Sequence, residues 1–210
     1  MMRAVRKALL VGGVASACVC SVPASAQYAA GLRAPEGISD GLAVAFGMGC
    51  VFAASQRLAP GLNYELGDGA DSVTLETSLP DDVARFMPAA EADAKILRYE
   101  TPEGDVWTLY NEAVDDCTVA AYSDTPEDAS EMALQFVQGK KSDWRKVDGE
   151  EVEGVSVRTF SQKFKATPQL ILPEGKMTAE FRIPSDSTQP IVIRTVGSDF
   201  SGPSLLKMDQ

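Results

Sequence analysis

The sequence contains no histidine. This absence excludes the Ser-His and Cys-His arrangements that activate a nucleophile, and it excludes every zinc or iron site with an imidazole ligand. Glycine-rich phosphate loops and nucleotide-binding fingerprints are also missing from the sequence. We therefore predict no catalytic residue, no metal ligand and no cofactor from sequence motifs.

Three short patterns resemble fragments of functional motifs. Residues 204–207 (Ser-Leu-Leu-Lys) have the spacing of a serine nucleophile and its lysine base, but the companion motifs of such enzymes are missing. Residues 68–71 (Asp-Gly-Ala-Asp) hint at a calcium loop without its spaced acids and distal glutamate. Asp115 and Asp116 are adjacent carboxylates, but neighbours on a strand point to opposite faces. We interpret the three patterns as a chance match, a polar turn and a solvated turn.

The apolar stretch near the N-terminus, Ala8–Val22, is shorter than the roughly 20 residues that a membrane-spanning helix needs. Basic residues precede it, and residues 24–26 (Ala-Ser-Ala) follow it with the small-x-small pattern that signal peptidases cleave. We predict a signal peptide over residues 1–26, followed by an irregular lead-in over residues 27–38.

Two alternatives for the N-terminus remain open. Residues 15–18 (Ala-Ser-Ala-Cys) loosely resemble a lipoprotein cleavage box, which would leave the protein lipid-anchored at Cys18. A bulky aliphatic residue is usual where Ala15 stands, so we favour the cleaved signal. Failed cleavage would instead keep the segment as a poor anchor. The favoured prediction is a periplasmic or secreted protein with no transmembrane span after signal cleavage.

The chain is acidic, with a net charge of −11. The predicted signal contains basic residues but no acidic ones, so its removal would make the net charge more negative. Such a charge repels phosphate backbones and favours cationic partners. We therefore expect no nucleic-acid binding. The expected partner is another protein or an envelope component, preferably a cationic one, although the charge also serves plain solubility.

Of the four cysteines, Cys18 and Cys20 would leave with the signal. Cys50 and Cys117 would remain in a compartment where thiols oxidise, so we predict one disulfide between them. The alternative is a pair of buried free thiols.

Two segments have the signals of main helices. Apolar residues recur at helical spacing from Ser39 to near Arg57, and Thr125 and Pro126 open a second helix that ends by Gly139. A short helix is predicted over Leu79–Met87. Strand patterns cover Ser72–Thr77, Lys95–Tyr99, Val106–Tyr110, Cys117–Tyr122, Val155–Phe160, Gln169–Leu172, Met177–Ile183 and Ile191–Val196.

Two turns with the same chemistry, at residues 101–104 and 172–175, predict hairpins. Because long helical crossovers are few, we predict an α+β fold in which two main helices pack on largely antiparallel sheet(s). The domain is expected over residues 39–210, with halves at 39–139 and 150–203. Pro-Glu-Gly recurs, but its flanks share too little to predict a duplication.

A basic cluster surrounds Trp144 in the otherwise acidic chain. It suits an anionic polymer or lipid headgroup, but we favour cations that follow a helix C-terminus, with Trp144 packed inward. The cluster consists of Lys140, Lys141, Arg145 and Lys146.

The missing catalytic motifs, the predicted disulfide and the acidic charge favour a non-catalytic binding or accessory protein of the bacterial envelope. One sharper version is an inhibitor or immunity-type protein that blocks a cationic partner. The alternatives are a carboxylate-based hydrolase of envelope polymers and a structural or secreted surface component.

Overall fold

The computed structural model describes residues 34–52, 73–111, 116–140, 142–164 and 174–201. In these ranges helix α1 spans Ile38–Val44 and continues as a π-helix over Ala45–Phe52, α2 spans Asp81–Ala84, and α3 spans Pro126–Gln138. The strands are β1 (Val73–Glu76), β2 (Lys95–Thr101), β3 (Gly104–Asn111), β4 (Asp116–Ala121), β5 (Arg145–Val152), β6 (Val155–Phe164), β7 (Glu174–Pro184) and β8 (Ile191–Ser201).

All eight strands belong to one sheet in the order β1-β2-β3-β4-β8-β7-β6-β5. Every pair of neighbouring strands is antiparallel. The predicted antiparallel sheet is therefore confirmed, while the emphasis on two main helices holds only in part, because the described residues are mostly sheet.

The order of elements repeats along the chain. A helix precedes the meander β1 to β4, a second helix precedes the meander β5 to β8, and the two meanders join through β4 and β8 at the centre. Sequence similarity between the parts is too sparse to predict this repeat. The predicted halves 39–139 and 150–203 place α3 in the first half and stay a prediction.

The main core lies between the sheet and the helices α1 and α3. Phe46 is fully buried at its centre, and its ring contacts those of Phe136, Trp144 and Phe181 at centroid distances of 5.6, 6.4 and 5.2 Å. Every second residue of the central strands points into this core, which is the side-chain period of a strand.

A smaller core covers part of the opposite face. Val83 and Met87, from α2 and the residues after it, pack against Leu109 and Ala120 of the sheet. Because both of its faces are covered, β4 is buried along its whole length, unlike an edge strand. This explains why β4 consists of apolar and small residues after its first residue, Asp116.

Several predicted elements need correction. The first helix is π-helical after Val44, and its predicted end at residues 53–57 lies outside the described residues. The prediction of a hairpin turn at residues 172–175 is wrong. Glu174 and Gly175 belong to strand β7, which pairs with β6, and Gly175 lies opposite Phe164. The strand expected at residues 169–172 and the signal at residues 1–26 lie outside the described residues.

Candidate functional site

The predicted disulfide between Cys50 and Cys117 is present, with a Cα–Cα distance of 5.5 Å. Both cysteines are fully buried. The bridge links the π-helical part of the first helix to the central strand β4. It is a structural link, and neither sulfur is free to act as a nucleophile or ligand.

The sequence predicted that Asp116 lies in a solvated turn, and this prediction is wrong. It begins β4, where its side chain is 8 % exposed and its two carboxylate oxygens accept hydrogen bonds of 3.1 and 3.2 Å from the Nε of Arg194. The hydrogen bond from Arg194 to Asp116 raises the pKa of the arginine above its ordinary value. Arg194 lies diagonally across from Asp116 on the neighbouring strand β8, and the two side chains form a structural ion pair. Asp115 lies outside the described residues.

The basic cluster follows the C-terminus of α3 in part, because Lys140 comes directly after the C-cap residue Gly139. Trp144 is buried, as predicted, and packs against Phe46. Arg145 and Lys146 are instead the first two residues of β5. Lys141 and the patterns at 68–71 and 204–207 lie outside the described residues.

Two adjoining clefts lie at the N-terminal end of α3, and Asp124 and Thr125 line both of them. Their volumes are about 470 and 460 Å³. The first is also lined by Ile38, Glu103, Tyr122, Ser123 and Ser187. The second is also lined by Pro126, Glu127, Asp128, Glu151, Gly154, Ser156, Arg158, Ile183, Pro184 and Ser185. Because they share residues, we describe them as one groove, the acidic cleft.

Carboxylates dominate the charge of the acidic cleft. Its walls carry one cation, Arg158, and several acids, namely Glu103, Asp124, Glu127, Asp128 and Glu151. The Arg158 guanidinium donates to Glu127 over 2.6 Å, so this cation is already neutralised. The remaining excess of negative charge suits an ammonium or guanidinium group.

The acids of the cleft differ in what holds them. Glu103 accepts a 2.9 Å hydrogen bond from the backbone N–H of Ile38, at the start of α1. Within the described part of the chain, Asp124, Asp128 and Glu151 have no hydrogen-bond or ion-pair partner of their side chains. These three carboxylates are therefore not engaged by other side chains or backbone groups of the described residues.

One further carboxylate lies beside the cleft. Asp186 precedes the cleft residue Ser187 in the loop between β7 and β8. Hydrogen bonds from the side chain and the backbone N–H of Thr188 lower the pKa of Asp186. The ionised form of this carboxyl is therefore favoured, which adds to the negative field at this end of the molecule.

The sequence did not reveal the acidic cleft. Its residues come from the β2–β3 turn, the start of α3 and the strands β5 and β6. Only the sheet register brings Glu151 opposite Ser156, and so to the face that α3 covers. The single local signal was the acidic first turn of α3, which is equally typical of ordinary helix capping.

Compared with known proteins, the chain matches no family model, no curated protein and no solved structure. Each helix in the described ranges falls short of the length and apolar character that crossing a bilayer requires. Among the same residues, no three metal-ligating side chains come together as a metal site.

Proposed function

We propose that the protein is exported to the bacterial envelope and acts there as a non-catalytic binding or accessory protein. In this proposal the acidic cleft receives a cationic segment of another protein or envelope component. The observation that carries it is the charge of the cleft. Among the residues that the structure describes, its lining has one arginine, which is paired, and three carboxylates without a partner.

The shape and the charge of the cleft support the same kind of ligand. Two cavities joined at Asp124 and Thr125 suit an extended segment with lysine or arginine side chains in both. The net charge of the whole chain, −11, would steer such a partner towards the surface and increase the association rate. An inhibitor or immunity-type protein against a cationic partner is the sharper form of this proposal.

Two features support export. The residues at the N-terminus have the pattern of a signal peptide over 1–26, and a disulfide between Cys50 and Cys117 is typical of an oxidising compartment. The periplasm and the exterior fit equally well, and a lipid anchor at Cys18 is the alternative. Fractionation of cells followed by mass measurement of the mature N-terminus distinguishes these locations.

The binding proposal is tested with a cleft variant, Asp124→Asn with Asp128→Asn. Its matched control, Asp81→Asn with Asp93→Asn, removes the same charge at exposed positions near the smaller core. The probe is an oligo-arginine peptide, measured by calorimetry at two salt concentrations. We expect the cleft variant to weaken binding about 10-fold, a difference of about 1.4 kcal/mol, and the control to have little effect.

Equal weakening by the cleft variant and the control would show that the peptide senses only net charge, and would refute the cleft as the binding site. Binding that is indifferent to salt would also count against it, because screening weakens exposed charge pairs. Crosslinking in the intact envelope, with the same variants, then identifies the natural partner.

A carboxylate-based hydrolase remains the main alternative and makes a different prediction. It would release fragments from peptidoglycan or polysaccharide, and replacing one acid would abolish the activity while the fold stayed intact. Incubating the purified protein with these polymers therefore separates the two proposals. A structural surface component would give neither turnover nor binding of the peptide at the cleft.

A further inference from the structure

Strand β5 is an exposed edge of the sheet. It lies last in the strand order, and among the described residues it pairs with β6 alone. All eight of its residues are exposed, including Val147 and Val152. The edge strand at the opposite end, β1, spans four of the residues that the structure describes. The longer edge offers more main-chain groups for pairing with another strand.

The charges of β5 are separated along its length. Arg145 and Lys146 begin the strand, while Glu150 and Glu151 end it. If two copies of the strand lie antiparallel, the basic end of each faces the acidic end of the other. If they lie parallel, like charges face each other, which is unfavourable. The two ends of the strand are therefore complementary in the antiparallel direction alone, while the third acid, Asp148, lies between them.

The faces of the sheet agree with this arrangement. Lys146 and Glu151 lie opposite Phe160 and Ser156 of β6, and both point to the helix-covered face of the sheet. Arg145 and Glu150 both point to the other face. The register shift between Lys146 and Asp148 produces this match, because without it residues five positions apart would lie on opposite faces.

We propose that β5 is a self-association surface, on which a second copy of this chain pairs edge to edge and antiparallel. A twofold axis perpendicular to the sheet then passes between the two copies of β5, level with the middle of the strand, and makes one continuous sheet from both copies. This symmetry closes the assembly at two chains, since the same edge is used on both sides. The proposal shares Glu151 with the acidic cleft but does not require that the cleft bind a peptide.

The features that protect this edge from unrelated strands still permit pairing with a second copy of β5. A bulge at Val147 and a row of charges discourage pairing with unrelated strands. The backbone N–H of Gly149 is occupied by the Asp148 carboxylate over 2.8 Å, and rotation of that side chain releases it. Gly149 lies near the proposed axis, where the lack of a side chain allows the two backbones to approach.

The test uses two charge-reversed variants of the full chain with its disulfide formed. Arg145→Glu with Lys146→Glu makes β5 acidic at both ends, and Glu150→Lys with Glu151→Lys makes it basic at both ends. Sedimentation equilibrium from about 5 to about 500 µM covers the range expected for a small interface. We expect the wild type to form dimers, each variant alone to weaken dimerisation about 10-fold or more, and an equal mixture to restore it.

Lys163→Glu with Lys176→Glu, on the inner strands β6 and β7, is the control for the acidic variant, because it changes the net charge by the same amount. This control should dimerise like the wild type. A wild type that stays monomeric over this concentration range would overturn the proposal. Variants that dimerise normally, or a mixture that stays monomeric, overturn it as well. Because Glu151 also lines the cleft, the variants that test peptide binding leave β5 unchanged, so the two proposals fail separately.

Discussion

Removal of the disulfide, by Cys50→Ala with Cys117→Ala, should lower the free energy of unfolding substantially. The bridge joins residues separated by 67 positions. In the chain-entropy model a loop of this length restricts the unfolded chain by about 4 kcal/mol, and residual structure in the unfolded state reduces this value. Both side chains are small and buried, so the cavities left by alanine add little. We expect a loss of about 3–4 kcal/mol.

Urea denaturation of the oxidised wild type and of the variant measures this loss. Reductant provides the control, because it should destabilise the wild type towards the stability of the variant and leave the variant itself unchanged. A loss below about 1 kcal/mol with the bridge intact in the wild type would refute the reasoning. It would mean that the unfolded chain is already restricted between the two cysteines.

Two further substitutions test the core and a turn. Phe46→Ala removes the ring that contacts three other aromatic rings, and should lower the free energy of unfolding by about 3–5 kcal/mol. Glu153→Asn should raise it by about 0.5 kcal/mol, because Glu153 and Gly154 have φ angles of 50° and 78° in the β5–β6 hairpin, and asparagine tolerates positive φ better than glutamate. Both are measured by urea denaturation, and a tolerated alanine at position 46 or a destabilising asparagine at position 153 would contradict these assignments.

The elements predicted well are those that carry local signals. Helix α3 begins after Thr125, as its Pro126 at the first position indicates. The β2–β3 hairpin turns at Pro102 and Glu103, where the turn chemistry placed it. The disulfide was predictable because only two cysteines follow the predicted signal. In each case a few neighbouring residues, or a count, were sufficient.

Long-range pairing determines the elements that were missed. Strand β5 reads Arg-Lys-Val-Asp-Gly-Glu-Glu-Val, which has no alternation of apolar and polar residues because neither of its faces is buried. It is a strand only because β6 pairs with it. The π-helix was also missed. The apolar spacing of residues 45–52 does not distinguish a helix with hydrogen bonds to the fourth residue from one with hydrogen bonds to the fifth.

The position of the disulfide can be understood from the weakness of the first helix. Gly47 and Gly49 lower helix propensity, and the helix continues only as a π-helix there. Gly49 is required, because a Cβ atom at this position would lie 2.8 Å from the hydroxyl of Tyr99. A larger residue at Gly49 would therefore displace the buried Tyr99 side chain, and the covalent link at Cys50 holds this turn against β4.

Helix α3 is held to the sheet without a disulfide. Helix α3 is amphipathic, with Pro126 at its first position, and the ion pair of Glu127 with Arg158 fastens its N-terminal end to β6. Noncovalent packing is therefore sufficient in the second meander unit. The same ion pair neutralises Arg158, the one cation among the described residues that line the acidic cleft, so the contact that anchors α3 also leaves the cleft negative. Breaking it with Arg158→Met would loosen the helix end and free Glu127 together, which is why the binding test uses Asp124 and Asp128 instead.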